Sequence, residues 1–120
     1  FVRSMEVETE MWNELAPIMG AHDVLICPTT GVPSVPLDFD PAGPDIEIDG
    51  RSVAADYGWM LTYPFNMLSA LPVLNIPSGT ASSGVPIGAQ LVGRPFDDHS
   101  LFSVGALVEQ LSPTIGTFAR

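Results

Sequence analysis

Cys27 is the sole thiol of this chain, and His22 and His99 are its two imidazoles. A thiol beside an imidazole base is a nucleophile for acyl transfer. Cys27 also closes the apolar run Val24-Leu25-Ile26, where a cysteine serves as a small buried hydrophobe, and that is the favoured reading. Neither histidine has a second ligand at metal spacing, so a zinc site is not expected. Glu6, Glu10 and Glu14 recur at four-residue steps, a row that could hold a cation on a helix. No histidine joins them, and a solvated face explains them better. Asp97-Asp98 resembles a general acid and base pair, yet a helix N-terminus accounts for both carboxylates. Gly84-Val85-Pro86-Ile87-Gly88 is not a phosphate loop, because it lacks a lysine and leads into a strand. Ser78, Ser82 and Ser83 fall in a turn, where serine is ordinary. These residues alone give no catalytic set, no metal site and no cofactor site.

Composition narrows the class. The 120 residues are 46% hydrophobic and 15% charged, which suits one folded domain over 1–120 and not a disordered chain. The basic residues are Arg3, Arg51, Arg94 and Arg120, against 14 acidic residues, for a net charge of -10. Nucleic acid and anionic membrane surfaces are therefore not expected partners. The chain has no lysine, so it contains no lysine base, Schiff base or P-loop. A single cysteine forms no internal disulfide and is compatible with a reducing compartment, so a cytoplasmic location is expected. No apolar run reaches the ~20 residues of a membrane span. Phe1-Val2-Arg3-Ser4-Met5-Glu6 does not read as a signal peptide, and the chain reads as processed, truncated or excised.

The elements that must position these residues follow from periodicity. Residues 1 to 20 read as a helix with a stripe of Met5, Trp12, Leu15 and Met19, widened by Met11 and Ile18. Pro17 predicts a kink or an early end, and Gly20 a stop. Val24 to Cys27 reads as a buried strand. Pro28 to Pro44 is loop, since five prolines and two glycines fall there. Ile46 to Val53 reads as a hairpin turning at Asp49-Gly50. Tyr57 to Ser69 reads as a buried helix that kinks at Pro64 or starts near Tyr63. Val73 to Ile76 and Ile87 to Val92 read as strands able to pair antiparallel, with Gly88 and Gly93 marking close approach or bulges. A final helix starts near Asp97, capped by that residue and stapled by Phe96 and Leu101. Its apolar stripe is Leu101, Val104, Val108 and Leu111, with Gly105 allowing close packing.

Three ordered stretches resemble a known family. They are Asp23-Val24-Leu25-Ile26-Cys27-Pro28-Thr29, then Thr62-Tyr63-Pro64-Phe65-Asn66 leading to Pro72-Val73-Leu74-Asn75-Ile76-Pro77-Ser78-Gly79, and finally Gly84-Val85-Pro86-Ile87-Gly88-Ala89-Gln90-Leu91-Val92-Gly93. In order and spacing, from about residue 10 to residue 111, they look like the C-terminal portion of the amidase signature family. The resemblance implies an α/β fold in which these strands complete part of a mixed β-sheet covered by helices. It implies a parent that hydrolyses carbon–nitrogen amide bonds with a Ser–cis-Ser–Lys triad. The lysine and both serines of that triad lie upstream of the matching part. This chain has no lysine, and Ser78, Ser82 and Ser83 do not match the triad serines. The implied protein is a C-terminal segment of a larger amidase, inactive alone. A standalone binding or assembly module of the same fold is the alternative.

The resemblance also places a substrate wall. The family's helix corresponding to Asp56–Asn66 helps line an acyl pocket in larger-acyl members. By that match Trp59 and Tyr63, four apart on one helical face, would be pocket-wall residues, with core packing as the competing role. Asn66 and Gln90 would hold backbone groups. The pattern departs from the family between Asn66 and Pro72, where Ser69-Ala70-Leu71 stands in place of a shorter glycine-containing link. The implied partner is a small amide substrate bound by the parent, and the isolated segment is expected to self-associate through exposed strand edges.

Overall fold

The structure is a computed structural model and describes residues 2–111, so Phe1 of the expected first helix lies outside it. Helix α1 runs Val2–Ala21. Its sheltered positions include Trp12, Leu15 and Met19, recurring every three or four residues, with Met11 beside Trp12. Two expected members of the stripe are exposed. Met5 is 54% exposed because it lies a turn before the first sheltered position, and Ile18 is 46% exposed because it points to one side of the stripe. Glu6, Glu10 and Glu14 face solvent. Pro17 does not end the helix. Its missing N–H removes one bond to the carbonyl four residues back, and the helix continues for another turn. Arg94 holds the far end of α1. Its Nε donates to the Met19 carbonyl at 3.1 Å, and its Nη2 lies 3.2 Å from Asp23 Oδ1.

The central sheet has the order β1-β5-β4, with β1 at Val24–Pro28, β4 at Val73–Thr80 and β5 at Pro86–Gly93. Both pairings are antiparallel, so the two outer strands run parallel to each other. The turn between β4 and β5 closes through Ala81 N–H to the Val85 carbonyl. A register shift between Pro77 and Gly79 marks a bulge in β4. A Cβ on Gly93 would come within 3.1 Å of Pro72 and 3.3 Å of Leu101, so this glycine does mark a close approach. The small hairpin of β2 (Ile46–Ile48) and β3 (Arg51–Val53) turns at Asp49 and Gly50, with φ of 50° and 73°. Both positive angles are what a tight two-residue turn between twisted strands requires.

Two layers cover the sheet. On one face Leu68, Leu71 and Val92 form a buried cluster against Trp12, Leu15, Leu25 and Phe65. On the other, α3 (Asp98–Leu111) turns Leu101 and Gly105 inward, and Gly105 lies against Leu74 with no room for a Cβ. Val104 and Val108 are half-buried beside them, whereas Leu111 is exposed. Asp97 caps α3, accepting from the Ser100 backbone N–H at 3.2 Å. The expected staple does not form. Phe96 adopts φ 60° and is 84% exposed, so its ring leaves the surface where Leu101 is buried.

The second expected helix starts at Tyr63, one of the two outcomes Pro64 allowed, and is therefore far shorter than Tyr57–Ser69. Helix α2 spans Tyr63–Met67 only, and none of its residues is buried. Pro64 sits in its first turn, where a missing N–H is harmless. The preceding residues turn instead, held by Gly58 N–H to the Ala54 carbonyl and Met60 N–H to the Tyr57 carbonyl. A Cβ on Gly58 would stand 2.7 Å from both the Ala54 nitrogen and oxygen, so the turn admits only glycine there without rearrangement.

Candidate functional site

The site lies where the end of β1 meets the segment before α2. Past Pro28 the chain bends at Thr29 and again from Gly31. Thr29 accepts at its carbonyl from Leu61 N–H at 3.0 Å, and Gly31 N–H donates to the Trp59 carbonyl at 2.7 Å. Thr30 and Met60 form an antiparallel bridge. This short ladder was not legible in the proline-rich sequence, because its partner residues belong to a turn 30 positions away rather than to a strand.

Sheet register brings Cys27, Gln90 and Asn75 into one row. Cys27 and Asn75 both pair with Gln90 from opposite sides. Directly opposed residues of antiparallel strands share a face. Gln90 is 1% exposed, and its Nε2 donates to the carbonyls of Pro28 at 3.0 Å and Leu61 at 2.9 Å. It thereby ties β1 to the start of α2. The role expected of Gln90, holding backbone groups, is the one it performs. No side-chain hydrogen bond within the chain involves Asn66 among the described residues. Gln90 Oε1 is buried and accepts no hydrogen bond from the described residues.

Two hollows flank this tie. One, of about 440 Å³, is lined by Thr29, Thr62, Phe65, Asn66, Asn75 and Gln90 among others. The second, of about 460 Å³, is an open groove bounded by Ile26, Cys27, Pro28, Val32, Ser78 and Ala89 among others. Ser78 therefore reaches a groove wall, though no base stands with it among the groove residues. Burial pushes the Cys27 thiol up from its ordinary range, and the nearby Gln90 side chain opposes the shift only in part. A thiol held protonated is a poor nucleophile. His99 lies on α3, across the sheet from the face that carries Cys27. Among the described residues no group of three His, Cys, Asp or Glu side chains could hold a metal ion. No helix among them is long and apolar enough to cross a membrane.

Trp59 and Tyr63 do not share a helical face, since Trp59 precedes α2. The Trp59 indole N–H donates to the Ala55 carbonyl at 2.9 Å, and its ring meets Phe39 edge-on at 6.3 Å. Tyr63 meets Tyr57 edge-on at 5.2 Å. Neither residue lines the two hollows described above. Thr29, Thr62 and Asn75, which do, carried no signal in the sequence. Asn66 and Gln90, which also line the first hollow, were the two amides expected to hold backbone groups, since a buried amide must find partners.

A family model described as Amidase matches residues 1–102. The chain belongs to the amidase family. Among the relatives of this amidase segment is a glutamyl-tRNA(Gln) amidotransferase subunit of Levilactobacillus brevis, 32% identical across 97% of the chain and 23% of the relative. The corresponding mitochondrial amidotransferase subunit of Rattus norvegicus is 36% identical, over 92% of the chain and 20% of the relative. An acylamidase of Rhodococcus erythropolis is 31% identical, over 87% of the chain and 21% of the relative. The segment thus spans about a fifth of the length of the curated relatives it matches. Its helices and antiparallel strands are an α/β portion of the amidase fold.

Proposed function

We propose that residues 1–120 act as one domain, the C-terminal part of an amide hydrolase of the Ser–cis-Ser–Lys type. In this reading the segment completes the sheet and supplies one wall of the substrate site. It holds no catalytic residue and is inactive alone. The observation that carries the reading is the amidase match over residues 1–102 in a chain without a lysine to serve as the triad base. The wall would be the tied corner of Thr29–Gly31 and Trp59–Leu61, with Tyr63 and Trp59 on its outer rim. Tyr63 is 41% exposed and free to meet an acyl group, whereas the Trp59 indole is tied by its hydrogen bond. The relatives' names include both an acylamidase and amidotransferase subunits, and either chemistry starts from amide cleavage. The substrate is a small amide bound by the whole enzyme, in the cytoplasm. The isolated segment self-associates, because Val73–Thr80 is an outer strand without a charged residue to discourage pairing.

Turnover of an aryl amide tests the reading. The purified 120-residue chain should match a heat-killed control, while the polypeptide of the complete reading frame should hydrolyse the amide. Activity of the chain alone, or none in the complete polypeptide, overturns it. Light scattering of the chain at high concentration should report species larger than a monomer.

A further inference from the structure

We propose that the hollow beside Gln90 is a binding site for an uncharged group that both donates and accepts hydrogen bonds, such as a carboxamide, urea or hydroxyl. As a substrate subsite this rests on the amide-hydrolase reading, and it names the class of acyl substituent the enzyme takes. The volume of about 440 Å³ suits a small ligand. Five of its wall residues, Thr29, Thr62, Asn66, Asn75 and Gln90, carry uncharged hydrogen-bonding side chains. Much of that capacity is unspent within the described residues. Thr62 makes no side-chain bond at the start of α2. Gln90 commits its Nε2 to two carbonyls and leaves Oε1 as a buried acceptor without a donor. A buried polar atom in that state favours whatever supplies the missing bond. A ligand N–H or O–H is the donor this acceptor lacks. Among the described residues no Asp, Glu, Lys, Arg or His lines the hollow, so a charged ligand would lose its hydration without gaining a counter-charge. Phe65 supplies an apolar flank for the carbon skeleton.

The test uses the polypeptide of the complete reading frame and three probes of similar size: N-propylurea, butyrate and pentan-2-one. Ligand-observed saturation-transfer NMR reads their binding. Propylurea should bind roughly tenfold tighter than either other probe, the weight of about one hydrogen bond. The preference should fall to within about twofold in the double variant Thr62→Val, Asn66→Leu, which removes two wall groups at half-buried and exposed positions and so spares the core. Gln90→Leu should act the same way, and the double variant decides the matter if Gln90→Leu fails to fold. Equal or tighter binding of butyrate or pentan-2-one, or a preference untouched by the double variant, overturns the proposal. Aryl-amide turnover separates the two readings. A preference without turnover leaves the hollow standing and removes the amide-hydrolase reading, while turnover without a preference does the reverse.

Discussion

Replacing Gln90 by glutamate changes almost nothing in shape and reverses the hydrogen bonding. In the native chain Nε2 donates to the Pro28 and Leu61 carbonyls at 3.0 and 2.9 Å from a side chain that is 1% exposed. In Gln90→Glu a carboxylate oxygen would face those two carbonyl oxygens with no donor between them. The cheaper state is the protonated acid, whose O–H can serve one carbonyl. Burial without a counter-charge raises a carboxyl pKa by as much as roughly 3–5 units. Taking about 4.3 for the unfolded glutamate, the folded value then lies near or above neutrality. A folded pKa above the unfolded one means stability is fully present below about pH 4 and is lost as pH rises. At about 1.4 kcal/mol per unit, the loss approaches 3.5–4 kcal/mol by pH 7. That corresponds to a fall in Tm of roughly 10–20 °C for a chain of this size. Urea unfolding of native and variant chains, followed by Trp fluorescence between pH 5.5 and 8, measures it. The two curves should separate as pH rises. Parallel curves across that range would refute the assigned donor role of Gln90.

Three further outcomes follow from other positions. Gly58→Ala should cost about 1–3 kcal/mol, because the new Cβ meets backbone atoms of Ala54 that cannot rotate away, while Gly20→Ala, with open space around it in α1, should be neutral or stabilising by up to about 1 kcal/mol. Urea midpoints moving the same way in both variants would contradict this. Asp97 is held below its ordinary pKa first by hydrogen bonding from the Ser100 side chain and then by the Ser100 backbone N–H, so its capping contribution is present at neutral pH and lost as pH falls through the lowered value. Asp97→Asn should keep the cap and flatten the acid limb of the stability curve, which thermal unfolding against pH would read. Cys27 should react with iodoacetamide at neutral pH more slowly than a free thiol, because burial keeps it protonated. Rapid labelling of the folded protein would refute this.

Much of the local structure was legible in the sequence because its causes are local. Asp49-Gly50 required its turn by the positive φ both positions adopt. The apolar spacing in α1 and α3 and the short apolar runs bounded by proline or glycine in β4 and β5 predicted those elements, and Asp97 marked a helix start. The failures share a cause. Tyr57–Met60 is apolar enough for a helix, yet it turns at Gly58 and bridges to Thr30, a partner that no local pattern announces. Phe96 was at the right spacing for a staple, but its positive φ aims the ring away. Composition and ordered motifs determined the family and the absence of a lysine base. Only the tertiary structure decided that Cys27, Gln90 and Asn75 stand in one row, and that Gln90 joins carbonyls from two distant segments. The physical reason is that a side chain's partners depend on strand register and layer packing. Those are set by burial across the whole sheet, not by the residues on either side.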